Sequence, residues 1–237
     1  MAENQQQLNK ILHKEYVIVT GASRGVGEAT SKILSNFYNV IAISRDIKRM
    51  QDIFSEYSNI YPYKMDITNF ESVKELDKYL EDKEIRALIN NAGGGGGSTI
   101  IEKDTPEAWS YAYNVNVIAP MNMSKMVIPH MKKNHIGDII VITSISGLYP
   151  YKGGGNYVVA KRAEMAFAET LRMEVSGHNI KVTQIAPGAV DTKEEFPQEI
   201  AIKAEDVGEA IRWILSLPKT VNVDQMTIMH TKSERYQ

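Results

Sequence analysis

Cysteine is absent from all 237 residues, which excludes a disulfide framework, thiolate catalysis and any cysteine-ligated metal site. An excess of charge of one sign is also missing. The 27 basic and 29 acidic side chains leave a formal net charge of −2, so no whole-chain field draws the protein to nucleic acid or to an anionic membrane. Any phosphate site must therefore be local. No apolar run is long enough for a signal sequence or membrane span, and the first fourteen residues, MAENQQQLNKILHK, are polar and glutamine-rich. Histidines stand at His13, His130, His135, His178 and His230 without the spacing of metal ligands. These absences suit a soluble protein of the reducing cytoplasm, with neither cysteine nor histidine spaced to hold a metal. Within residues 1–14, Leu8, Ile11 and Leu12 fit either one amphipathic turn packed on the body or a frayed leader.

What the chain does have is alternation. Short apolar runs at 16–20, 40–44, 61–65, 87–90, 138–143, 180–185 and 225–229 predict strands. Segments of helical period fall between them at 25–38, 47–57, 72–82, 106–133, 157–176 and 204–217. Alternation of this kind gives an α/β fold: a doubly wound parallel sheet covered by helices on both faces, the Rossmann arrangement. Residues 15–237 read as one domain behind the 1–14 leader.

Between the first strand and first helix lies Thr20-Gly21-Ala22-Ser23-Arg24-Gly25-Val26-Gly27. Glycines allow a tight turn and close backbone approach, and the start of the following helix offers free N–H groups to a pyrophosphate. This is the context of a dinucleotide turn, although three glycines between a strand and a helix also occur for packing alone. The end of the second strand distinguishes the two nicotinamide cofactors. An acidic residue there would accept from a ribose 2′-hydroxyl; here Ser44 and Arg45 stand there, with Arg24 in the turn, a set suited to a 2′-phosphate and hence to NADP(H).

Tyr157 and Lys161 are four residues apart on a predicted helix and share a face. A free phenol holds its proton too tightly for base chemistry at neutral pH, and an adjacent ammonium corrects that by stabilising the phenolate. Ser144, at a strand end upstream, supplies a hydroxyl to orient a substrate oxygen. Asn116, midway along a helix among Val115, Val117 and Ile118, requires an inward-facing role such as holding a water in a proton relay. Singly, each has an ordinary reading as a surface pair, a cap or a packing residue. Their joint order points to carbonyl reduction with acid–base help. The glycine run 93–98 would alone be a flexible linker; after a strand and Asn90-Asn91-Ala92 it reads as a loop approaching a ligand.

Taken together these motifs resemble those of the short-chain dehydrogenase/reductase family, over nearly the whole of residues 16–229. Thr20 to Gly27 is similar to that family's T-G-x-x-x-G-x-G turn, and Asn90-Asn91-Ala92-Gly93 to its N-N-A-G segment beside the cofactor. The resemblance implies that Asp66 and Ile67 face the adenine, and that Pro187, Gly188, Val190 and Thr192 hold the nicotinamide carboxamide. It implies a catalytic tetrad of Asn116, Ser144, Tyr157 and Lys161, hydride transfer between NADP(H) and a small carbonyl or alcohol, and a homodimer or homotetramer built on the helices carrying Asn116 and Tyr157. Segments 148–157 and 204–222 look like the branch of bacterial NADP-dependent 3-hydroxy acid dehydrogenases. The stretch between Thr192 and Ala204 is shorter than the helical lid of many relatives, and acidic at Asp191, Glu194, Glu195 and Glu199, with Lys152 and Lys193 as possible counter-charges. A specific 3-hydroxy acid or pterin-type reductase, and an NADPH-binding regulatory module without turnover, are the competing expectations.

Overall fold

The computed structural model describes residues 14–95, 99–192 and 200–233. Residues 1–13 of the leader, the tip of the glycine run, and 193–199 with the expected acidic Glu194, Glu195 and Glu199 therefore lie outside the described residues.

Seven parallel strands form the sheet: β1 (Glu15–Thr20), β2 (Asn39–Ser44), β3 (Ile60–Lys64), β4 (Glu84–Asn90), β5 (Gly137–Ile142), β6 (Ile180–Pro187) and β9 (Gln225–Ile228). Their order is β3-β2-β1-β4-β5-β6-β9, and β7 (Val190–Asp191) pairs separately with β8 (Ile202–Lys203). The intervening helices are α1 (Gly25–Leu34), α2 (Ile47–Ile53), α3 (Phe70–Tyr79), α4 (Pro106–Tyr113), α5 (Ala119–Asn134), α6 (Ile145–Leu148), α7 (Gly155–Val175) and α8 (Ala204–Ser216). The expected doubly wound architecture is thus present.

Alternation along each strand builds two cores. Ile18, Ile41, Leu88, Ile139 and Val182 face one side with residues of α3, α5 and α7. Val17, Val40, Ala87, Ile140 and Ile185 face the other with α1 and α8. Because both faces are covered, the strands are near-continuous β-branched runs rather than polar–apolar repeats. Where the strands begin, the buried Arg86, Asp138 and Lys181 of adjacent strands β4, β5 and β6 pair together, with Glu15 at the margin. The site lies at the opposite end, where the strand order reverses between β1 and β4.

Three predicted helices differ from the observed ones. Residues 35–38 and 54–57 are not helical, so α1 and α2 stop early. The expected helix over 106–133 is divided by a π turn at Asn114–Ile118, which inserts an extra residue and re-aims the side chains around it. Periodicity over a long window does not register one such residue.

Candidate active site

Thr20 ends β1 and ties it to the loop leaving β4. Its hydroxyl accepts from the N–H groups of Asn91 and Ala92, both at 3.0 Å, while Asn91 Nδ2 donates to Thr20 O at 2.9 Å. These bonds hold the two strands at the reversal point and open a cleft between their ends. Gly21 and Gly25 adopt φ of +67° and +55°, which side-chain-bearing residues adopt at a cost. A Cβ on Gly27 would lie 2.3 Å from Gly21 O, so Gly27 serves the packing of helix against turn and does not line the cleft itself. Arg24 makes no side-chain cap to α1, leaving the first N–H groups of the helix for a bound anion.

The resulting cleft has a volume of about 1070 Å³ and is lined by Gly21, Ser23, Arg24, Gly25 and Val26 from the turn. Ser44 and Arg45 border it beyond β2, Asp66 and Ile67 beyond β3, and Asn91, Ala92 and Gly93 beyond β4. Pro187, Gly188, Val190 and Thr192 close the far side. Ser44 Oγ donates to Ser23 Oγ at 2.9 Å, joining the two segments expected to meet a 2′-phosphate. Asp46, the one acid following Arg45, accepts from Arg49 N at 3.1 Å and caps α2. Its carboxylate is thereby committed to a helix start. Asp66 accepts from the hydroxyl and the N–H of Thr68, and the hydroxyl bond is the main cause holding its carboxyl below the usual range.

At the inner end stand Ser144, Tyr157 and Lys161. Ser144 follows β5, and its Oγ accepts from Ser146 N at 3.1 Å, which fixes the hydroxyl at the start of α6. Tyr157 lies against the backbone of the glycine run: a Cβ on Gly95 would sit 3.1 Å from the tyrosine Cβ. Lys161 is 4% exposed, and its ammonium donates to Ile142 O at 3.0 Å and to Glu164 at 2.7 Å. Its Nζ is 6.0 Å from the centre of the Tyr157 ring. Asn116 sits in the π turn, fully buried and behind the cleft wall. Its amide accepts from Gly94 N and donates to Gly94 O and Ala112 O. A Cβ on Gly93 would touch both Asn116 Oδ1, at 2.7 Å, and Lys161 Nζ, at 3.2 Å. Asn116, Tyr157 and Lys161 thus meet around Gly93 to Gly95, and Ser144 lines the same cleft as Tyr157 and Lys161, with Asn116 one layer behind.

Two residues escaped the sequence reading. Arg49 lines the cleft and donates through Nε to Ser23 O at 2.7 Å; it stands at the third position of α2, shortly after Arg45. Glu164 continues the inward row of Tyr157 and Lys161 and is 1% exposed; an acid among alanines and methionines was the available signal. His130, read as a surface residue near the end of its helix, meets Asp77 at 2.7 Å in an exposed contact. Among the described residues no group of three or more potential metal ligands lies together.

A reversing parallel sheet, a glycine turn at its break and a Tyr-x-x-x-Lys helix beside a strand-end serine define a nucleotide-dependent oxidoreductase site. The chain belongs to the short chain dehydrogenase family, whose match spans residues 15–199. It is 32% identical to the NADP-dependent 3-hydroxy acid dehydrogenase of Escherichia coli K12, covering 90% of this chain and 94% of that protein. Among solved structures it is similar to serine dehydrogenase from Escherichia coli, with a TM-score of 0.85 and 31% identity over 93% of this chain and 100% of that one. It is also similar to a closed form of serine dehydrogenase complexed with NADP+, with a TM-score of 0.88 and 29% identity over 94% and 97% of the two chains.

Proposed function

We propose that the protein is an NADPH-dependent reductase of small carbonyl compounds, reversible as an alcohol dehydrogenase. The observation that carries this reading is a single cleft with Ser144, Tyr157 and Lys161 at one end and Arg24, Arg45 and Arg49 around Ser44 at the other. Three guanidinium groups, with the neighbouring carboxylates of Asp46 and Asp66 each engaged by local hydrogen bonds, suit a 2′-phosphate, which a ribose-binding carboxylate would repel. Gly21, Gly25 and the open start of α1 suit the pyrophosphate. Asp66 and Ile67 suit the adenine side, and Pro187, Gly188, Val190 and Thr192 the nicotinamide side.

NADPH held in this cleft would supply a hydride to the carbonyl carbon. Ser144 and Tyr157 hold the carbonyl oxygen, and Tyr157 gives its proton to that oxygen as negative charge develops there. Lys161 stabilises the phenolate left behind. Asn116 locks Gly93 and Gly94 over the lysine, and its Oδ1 retains capacity for a water through which the site regains a proton. The overall change is one carbonyl, one NADPH and one proton giving one alcohol and NADP+.

The names of the relatives favour a 3-hydroxy acid or hydroxyl-bearing amino acid within that class. Saturable turnover of such a compound, far above simple ketones and aldehydes, would narrow the assignment. The chain works in the cytoplasm, as residues 15–237 folded into one domain, and assembles as a dimer or tetramer. Tyr113, Met121 and Val159 on α4, α5 and α7 are exposed apolar groups that suit such contacts. Among the described residues no helix is long and apolar enough to cross a membrane.

The test is NADPH oxidation across aldehydes, ketones, diketones, 3-oxo acids and pterins, with NADH alongside. Tyr157→Phe should abolish turnover while NADPH still binds. Full activity in that variant would defeat the assignment, and binding without turnover on the whole panel would favour a regulatory role.

A further inference from the structure

The inward row on α7 that carries Tyr157 and Lys161 continues to Glu164, which the reaction as described leaves without a task. Glu164 and Lys161 are 1% and 4% exposed, and Glu164 Oε2 is 2.7 Å from Lys161 Nζ. Two opposite charges have thus been taken out of water immediately behind the phenol. Such a pair rarely adds to stability against an apolar alternative, which turns attention to what it does for the site.

The surfaces packed on α7 are α6, β6, α4, the π turn and, at its far end, the turn Ser176–His178, whose His178 does not act on Glu164. Their titratable side chains Glu107, Tyr111, Tyr113 and Lys181 do not act on Glu164; Lys161 does. Burial pushes Glu164 up to about 7 against the pull of Lys161. Burial works to lower Lys161, and Glu164 and then Tyr157 outweigh it and hold the ammonium above its ordinary value. The lysine charge is therefore shared between a carboxylate on one side and the phenol on the other.

We propose that Glu164 is a positioning residue that sets how much of the Lys161 charge reaches Tyr157. As a carboxylate it orients the ammonium and cancels part of its field, so the phenol keeps its proton and remains a donor for reduction. As a carboxylic acid it releases that field and favours the phenolate. The proposal rests on the reading of Tyr157 as the proton donor.

Glu164→Gln removes the negative charge and keeps an oxygen to accept from Lys161. Glu164→Asp keeps the charge and withdraws it by one methylene. The experiment is an NMR titration of the cofactor-free protein labelled with ¹³C at the hydroxyl-bearing ring carbon of tyrosine, with Tyr157→Phe assigning the signal. The midpoint for Tyr157 should fall by about one pH unit in Glu164→Gln and by less, in the same direction, in Glu164→Asp. The rising limb of alcohol oxidation against pH should move equally. A merely structural glutamate would lower the melting temperature and kcat and leave the midpoint in place, and that result overturns the proposal. Should Glu164→Gln fail to fold, an unmoved midpoint in Glu164→Asp overturns it alone. Wild-type turnover with unmoved midpoints defeats only this coupling, whereas moved midpoints without any wild-type turnover defeat the reductase assignment.

Discussion

Gly94 and Gly95 are adjacent, described and both inside the site loop, yet they face different surroundings. A Cβ on Gly94 meets only Tyr111 Oη, at 3.8 Å, an ordinary contact. A Cβ on Gly95 meets the Cβ and Cδ2 of Tyr157 at 3.1 Å and its Cγ at 3.3 Å. Gly→Ala at either position restricts the unfolded chain alike, worth about 0.4–1 kcal/mol in favour of folding where the native backbone accepts it. The difference between the two variants therefore isolates the push on the tyrosine. Relieving a 3.1 Å carbon contact requires roughly 0.3–0.5 Å of movement; at about a hundredfold in rate per ångström of misplacement, kcat falls about four- to tenfold in Gly95→Ala. Gly94→Ala should stay within about twofold of wild type, because the bonds from its N–H and carbonyl to Asn116 use no side chain. Steady-state NADPH oxidation at saturating cofactor reads both, with cofactor affinity measured by fluorescence as the check that the cleft survives. Equal kcat in the two variants would refute the claim that the glycine run seats Tyr157.

Ser in place of Arg45 or Arg49 should each raise the KM for NADPH about ten- to hundredfold, as the loss of a charge-assisted bond of about 1.5–3 kcal/mol predicts, while NADH kinetics stay unchanged; parallel loss with both cofactors would remove the arginines from the 2′-phosphate site. Asp138→Asn leaves Arg86 and Lys181 buried without their shared carboxylate and should cost about 3–5 kcal/mol in denaturant unfolding, with kcat little altered because the cluster lies at the far end of the sheet. Glu164 titrates near 7 when folded against its ordinary 4.5, so between those values the native chain holds a proton that the unfolded chain has released. Its contribution to stability is then present below about pH 4.5 and lost as pH rises through 7, by up to about 3 kcal/mol; melting curves of Glu164→Gln should lack that fall, and an equal slope in both proteins would refute the assignment.

The sequence was most legible where one residue type answers one physical demand. Positive φ at Gly21 and Gly25, β-branched strands buried on both faces, and a Tyr-x-x-x-Lys pair on one helical face follow from local rules. Gly27 was recognised as part of the turn, yet its burial under Gly21 depends on how helix and strand pack. Arg49 was missed because it gains meaning from Ser23 on another element, and Glu164 because its pairing with Lys161 three residues earlier matters only once the packing around both has buried them. The ends of α1 and α2 were overrun since apolar residues such as Phe54 and Tyr57 continue into the turn that packs beneath the next strand.

The π turn at Asn114–Ile118 means that the site depends on chain length as well as on residue identity. Removing Val117 or Ile118 there would let α4 and α5 close into one regular helix, and everything back to Pro106 would rotate by about 100°. Tyr111 would swing away from the cleft and Asn116 away from Gly94, with every cleft-lining side chain still encoded. A deletion is thus a sharper injury to this segment than any substitution outside Asn116, because it misplaces several side chains of the site at once.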